Sequence, residues 1–137
     1  MAIAKWSALS SESADLGTSV DNKSSGSTPI FIADIDNSSG ANLYIEYWIN
    51  FASINPTAGA SITLVLRRKR GSSYAENNIE TYTASPTGSG ARAFSLHAAH
   101  RILNAGVYGL YWINNLGVTT AASGNNLFYR TWNEDVS

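Results

Sequence analysis

The stretch 42-NLYIEYWINFASINPTAGASITLVLRRKR-70 decides the fold class. From Asn42 to Phe51 the side chains alternate at period two. Leu43, Ile45, Tyr47, Ile49 and Phe51 fall on one face, and Asn42, Tyr44, Glu46, Trp48 and Asn50 on the other. Successive strand residues point to opposite sides of a sheet, so this pattern predicts a strand with one apolar face toward a core. Asn55-Pro56-Thr57-Ala58-Gly59 interrupts it with turn chemistry. Ser61–Arg68 then resumes, with Ile62, Leu64 and Leu66 opposite Thr63, Val65 and Arg67. Its β-branched residues suit a pleated surface.

The same punctuation extends outward. Pro29 opens a short apolar strand, Ile30–Ala33, and Asp34–Gly40 reads as a turn. Downstream, strands are expected at Ile79–Ala84, Ala91–Ala98 with Phe94 and Leu96 facing in, Gly106–Asn114, Val118–Ala121 and Leu127–Trp132. In Gly106–Asn114 both sides are apolar, Val107, Tyr111 and Ile113 against Tyr108, Leu110 and Trp112, so both faces are expected to be covered. About eight short strands and no ordinary helix predict an all-β chain, a two-sheet antiparallel β-sandwich. A jelly roll is the first choice and an immunoglobulin-like sandwich the second. Residues 1–28, rich in Ser and Asp, read as an N-terminal arm or a loosely packed first strand, with a short strand near Leu16–Val20. Residues 29–137 are expected to form the single sandwich domain.

The chain has 137 residues, enough for one domain with a core of its own. It has no cysteine, so disulfides and thiolate metal sites are excluded. Net charge is −1 and only 14% of residues are charged, which argues against a dedicated nucleic-acid binder and suits a protein that associates with others. Met1–Ser13 lacks an apolar segment of signal-peptide length, and no apolar run approaches the ~20 residues that cross a bilayer. The expectation is a soluble protein made without a secretion signal, with no membrane contact.

No catalytic motif emerges. Asp34-x-Asp36-x-Ser38 suggests a calcium loop, but Ser39 and Ile45 stand where such a loop needs Gly and Glu, so a capped turn is the expectation. His97 and His100 lack a third zinc ligand nearby. The acidic residues are scattered; Glu46 and Glu80 on neighbouring strands are the one carboxyl pair to weigh for a hydrolase, and nothing selects them. No cofactor or metal is expected. The basic run Arg67, Lys69, Arg68 and Arg70 ends a strand, so its charges split between two faces. A solvated strand end comes first, contact with an acidic neighbour in an assembly second, and nucleic acid third. Tyr44 and Trp48 stand on the polar face of their strand, where aromatics anchor a protein interface or stack on sugar rings; Trp112 is their expected companion in a sugar platform. Trp6, in the arm, is a further candidate partner contact.

The run Asn42-Leu43-Tyr44, the alternating strand to Phe51-Ala52-Ser53, the turn Pro56–Ala60 and the apolar strand to Leu66 resemble a family of small tailed-phage virion proteins. Ala122–Leu127, Tyr129-Arg130 and Asn133-Glu134 are similar to the same family. The resemblance covers roughly residues 42–134 and departs from the family at Arg67–Arg70. It implies a β-sandwich that decorates or cements a capsid shell by bridging capsomers, non-enzymatic, made in the host cytoplasm and located on the virion surface. The partners it implies are the major capsid protein or other virion proteins, with a homo-oligomer, a trimer among the options. A carbohydrate-binding module of a head or tail appendage is the alternative, with a glycan as ligand.

Overall fold

The computed structural model describes residues 12–38, 44–99 and 105–132 in full, and the backbone of 4–6, 100–101 and 134–136. The chain is all-β, with strands β1 (Ala4–Trp6), β2 (Ile30–Asn37), β3 (Tyr44–Ile54), β4 (Ser61–Arg70), β5 (Ser73–Tyr74), β6 (Glu80–Ala84), β7 (Arg92–Arg101), β8 (Gly106–Asn115), β9 (Asn126–Trp132) and β10 (Glu134–Val136). One antiparallel sheet runs β2-β8-β4, with β5 and β6 both on the far side of β4. The second runs β7-β3-β9, and β1 pairs with β10 as a separate ribbon.

Between β2 and β9 the chain changes sheet at every connection except that from β4 to β6. This is the winding of a jelly roll, the favoured expectation. An eight-strand roll needs a first strand beside β9, and residues 12–16 lie there. Ser13 N donates to Tyr129 O (2.9 Å) and Leu16 N to Leu127 O (2.8 Å). Side chains supply the return bonds: Tyr129 N donates to Ser13 Oγ (3.0 Å) and Leu127 N to Asp15 Oδ1 (3.1 Å). Half of the ladder runs through side chains, so the segment is not a regular strand.

The core lies between the sheets. Ile45, Tyr47, Ile49 and Phe51 of β3 meet Ile62, Leu64 and Leu66 of β4 and Tyr108, Leu110 and Trp112 of β8, all buried. The period-two reading of β3 and β4 therefore places the correct faces inward, and on β8 the Tyr108–Leu110–Trp112 side is the one that meets the other sheet; Leu43 lies outside the described residues. Strand β2 is longer than expected. A bulge between Phe31 and Ala33 shifts the register, so Ile32 and Ile35, three apart, both point inward. An extra residue reverses the alternation, and Asp34 and Asp36, expected in a turn, belong to the strand.

Residues 12–28 are bonded to the sandwich throughout. The expected strand near Leu16–Val20 is instead a 3₁₀ turn, Gly17–Ser19. Val20 is fully buried, and Trp112 Nε1 donates to Ser19 O (2.9 Å). Asn114, buried on β8, donates through Nδ2 to Lys23 O (2.9 Å) and Val118 O (3.1 Å) and accepts from Leu116 N (2.9 Å). Residues 118–121 are not a strand; Thr120 N donates to Lys23 O (3.0 Å), Asn22 N to Ala121 O (2.9 Å), and Thr120 Oγ1 to Val20 O. Residues 12–26 are thus held to the sandwich by hydrogen bonds and by Val20, without forming a regular strand.

Two outcomes follow from this packing. Asn114→Ala leaves the buried Leu116 amide unpaired and takes a donor from the half-buried carbonyls of Val118 and Lys23, the latter keeping Thr120 N; a buried group left unpaired costs about 1–3 kcal/mol. Urea denaturation is expected to show a loss of about 2–4 kcal/mol; a loss below 1 kcal/mol contradicts it. Deleting Met1–Lys23 removes Val20 from the core and the acceptor of Trp112, and is expected to abolish the cooperative thermal transition seen by near-UV circular dichroism. A truncated chain that melts like the parent would show the segment to be dispensable.

Candidate functional site

The outer face of the three-stranded sheet is built from alternate residues of β3, β7 and β9. Register places Tyr44 opposite Trp132, Glu46 between Ala99 and Arg130, Trp48 between His97 and Phe128, and Asn50 between Ser95 and Asn126. The rings of Tyr44 and Trp132 stack, centroids 5.5 Å apart. Trp48 is 47% exposed. Its orientation is fixed nonetheless: Nε1 donates to Asn50 Oδ1 (2.8 Å), which also accepts from Ser95 Oγ (2.5 Å), and the ring lies 5.9 Å from that of His97.

Beside the indole sits a charged cluster. His97 Nε2 lies 3.0 Å from Glu46 Oε2, Arg130 Nε 3.6 Å from Glu46 Oε1, and Arg130 donates to Glu12 Oε2 (2.7 Å). Glu12 comes from the first-strand segment, so the same residues that complete the roll complete this site. Together with Trp48 and Phe128 these side chains line a shallow pocket of about 80 Å³.

The outer face of the five-stranded sheet carries a different cluster. Phe31, Tyr74 and Tyr111 form a ring triad with centroids 5.4–5.9 Å apart. Gly109 makes it possible: a Cβ there would collide with the rings of Tyr74 and Tyr111. Tyr74 reaches this position through the tight β4–β5 turn, where Gly71 adopts φ 61°. The guanidinium of Arg67 stands 5.1 Å from the Tyr111 centroid and Lys69 Nζ 5.2 Å from that of Tyr74, within cation–π range. Asp34 accepts from Lys69 Nζ (2.6 Å) and Tyr74 Oη (2.6 Å). The Lys69 bond, then the Tyr74 bond, hold the Asp34 carboxyl below its ordinary range. The same carboxylate raises Lys69 and Tyr74 above theirs. Phe31 is 45% exposed.

The expected site residues thus separate. Tyr44 and Trp48 share the three-stranded face. Arg67 and Lys69 belong to the other face, and Arg67 Nε also donates to Asn78 Oδ1 (2.9 Å). Arg68 points to the opposite side of β4, donates to Ala105 O (2.7 Å) and lies over the Tyr108 ring. Arg70 is exposed at the turn. The basic run is split between faces, as the alternation of a strand requires. The side chains of Trp6 and His100 lie outside the described residues.

Two expectations need correction. Trp112 is no part of an exposed platform: it is fully buried and sits in ring contact with Phe51. Trp132 and Phe128 are the aromatics that accompany Tyr44 and Trp48. Glu46 and Glu80 do not neighbour each other either, since β3 and β6 belong to different sheets. Among the described residues, no group of three His, Cys, Asp or Glu is arranged to hold a metal ion, and no helix is long and apolar enough to cross a membrane. Sequence reasoning missed Arg130, Phe128, Trp132 and the Phe31–Tyr74–Tyr111 triad. The spacing of Phe128, Arg130 and Trp132 at every second residue was the available signal.

No family model matches the chain, and no curated protein matches it either.

A pH dependence follows from Asp34. Its folded pKa lies below the ordinary value of 3.8, so its contribution is present above that value and is lost as pH falls through the depressed one. Asp34→Asn is expected to lower the urea midpoint at pH 6, with the gap to the parent closing as pH drops below 4. A gap that stays constant from pH 6 to 2 contradicts the assignment.

Proposed function

We propose that this chain is a non-enzymatic structural protein of a tailed-phage particle, a capsid decoration or cement protein that bridges capsomers. The single observation carrying the proposed docking face is Phe31, 45% exposed at the edge of an aromatic triad and flanked by Arg67 and Lys69. Phe and Tyr anchors beside Arg are the composition of interface hot spots. The triad stands on sheet strands, so docking orders few side chains and little affinity is lost to entropy. The resemblance of residues 42–134 to small virion proteins supplies the partner: the major capsid protein, or another virion protein beside it. That Arg67 and Lys69, where the chain departs from those proteins, border the triad fits a contact specific to one kind of particle.

In this reading each copy makes a modest contact, and the symmetry of the shell multiplies it. The location is the virion surface, after synthesis in the host cytoplasm, with self-association between copies on the shell.

Mass spectrometry and imaging of purified particles test the reading. The protein is expected in mature virions at a stoichiometry set by capsid symmetry, and its absence from them overturns the proposal. Phe31→Ala is expected to weaken retention on particles by about 2 kcal/mol, roughly thirtyfold, without changing the melting curve. Undiminished retention would move the contact to another face.

A further inference from the structure

We propose that the outer face of the three-stranded sheet is a saccharide-binding site for a neutral oligosaccharide, with Trp48 as its stacking platform. The inference stands apart from the particle reading, because it concerns the opposite outer face of the sandwich.

The indole comes first. A tryptophan left 47% exposed on the middle strand of a sheet presents a broad apolar surface to water. Its N–H is already bonded to Asn50, so what the ring offers a ligand is its apolar face. Asn50, Ser95 and His97 hold it in one orientation before any ligand arrives. A rigid, pre-set aromatic plane suits a partner with a flat apolar face, and the C–H face of a pyranose ring is one.

The surroundings supply the polar half of the recognition. A carboxylate has about four lone-pair sites. Among the described residues, Glu46 Oε2 is paired with His97 at 3.0 Å, while Arg130 Nε stands 3.6 Å from Oε1, an ion-pair distance beyond hydrogen bonding. Arg130 carries five N–H donors, of which one bonds Glu12 and Nε faces Glu46. Both groups keep capacity, and both are about a third exposed or less, 27% for Glu46 and 33% for Arg130. Acceptors and donors side by side at the lip of an aromatic plane match vicinal hydroxyls, which both donate and accept.

Charge selects among flat ligands. The pocket holds two carboxylates, Glu12 and Glu46, and one guanidinium, Arg130. With His97 protonated its net charge is zero, and with His97 neutral it is −1. Neither state attracts phosphates, so a nucleic-acid strand stacking on Trp48 gains no counterion release. Acidic sugars are disfavoured for the same reason, which leaves a neutral saccharide.

Size and spacing set the form of the ligand. A pocket of about 80 Å³ is far below the roughly 300–1,000 Å³ of an enclosing small-molecule site. It seats part of one ring and leaves the chain of sugars on the surface. Tyr44, stacked on Trp132, lies four residues from Trp48 on the same face of β3, roughly 13 Å away at the rise of a strand. The half-buried Tyr44–Trp132 pair, in line with Trp48, gives a second aromatic contact and favours an oligosaccharide over a single sugar.

The test uses the full chain and isothermal titration calorimetry. Maltohexaose, cellohexaose and chitohexaose are titrated, with glucose for length and polyphosphate for charge. At least one hexasaccharide is expected to bind more tightly than glucose. Trp48→Ala should weaken it about tenfold or more, Trp48→Phe should retain part of it, and Tyr82→Ala, an exposed tyrosine on β6, should leave it unchanged. Circular dichroism melts confirm that each variant is folded. The proposal is overturned by no binding to any hexasaccharide at millimolar concentration, by binding indifferent to Trp48→Ala, or by preferential binding of polyphosphate. Particle retention of Trp48→Ala, measured in parallel, separates this site from the docking face: loss there would mean that Trp48 contacts protein instead of sugar.

Discussion

Every side chain of β3 has only two destinations, and the rest of the structure depends on that constraint. The strand is the middle of its sheet, hydrogen-bonded to β7 on one side and β9 on the other. Its odd residues, Ile45 to Phe51, are all 2% exposed or less and form the centre of the core. Its even residues, Tyr44 to Asn50, form the spine of the outer face. A slip of one residue would place tyrosine, glutamate and tryptophan in the core and four apolar side chains in water. The burial of the odd set therefore fixes the geometry of the even set. The rows Tyr44–Trp132, Glu46–Arg130 and Trp48–His97–Phe128 inherit their alignment from it.

The first-strand segment depends on the same register. It meets β9 at Leu127 and Tyr129, whose backbone groups turn away from β3 toward the edge. An open edge exposes unpaired donors and acceptors, and residues 12–16 cover it. Beyond Gly17 the chain crosses the end of the sandwich, where no regular ladder continues. Buried asparagine and threonine do the work of a ladder there. Asn125 Oδ1 accepts from Ala52 N (2.9 Å) while its Nδ2 donates to Asp21 Oδ1 (2.7 Å) and Ala121 O (2.9 Å). Asn114 and Thr120 act likewise. Each polar group is paired as it is buried, which keeps the desolvation of these side chains from destabilising the fold.

The alternating strands could be read from residues alone because their period is a local property. The β2 bulge could not: it reverses the alternation at Ile32, and Asp34-x-Asp36-x-Ser38 then carries the composition of a turn while lying largely in a strand. Trp112 was misplaced for a related reason. On β8 both sides are apolar, and the pattern does not say which side meets the other sheet. The sites were less legible than the strands because they are products of register. Glu46, His97, Arg130 and Glu12 come from four separate segments, and only strand pairing brings them together. Likewise Phe31, Tyr74 and Tyr111 meet because β8 stands between β2 and β4 and because Gly109 leaves room above it.

Two outer faces rich in aromatics pose a problem for any sandwich, since large apolar patches promote association. Here most of the ring surface is covered from within. Arg67 and Lys69 lie over Tyr111 and Tyr74, His97 stands against Trp48, and Tyr44 and Trp132 cover one another. Among the described residues, the large exposed rings are Phe31 on one face, Trp48 on the other and Tyr82 on β6. These two faces are turned away from each other by the core between the sheets, so an anchor on one leaves the other accessible. A shallow site such as that around Trp48 holds a ligand weakly on a single copy. Carried outward on many copies fixed through the Phe31 face, the same site would act by effective concentration, and its shallowness would then matter less than its repetition.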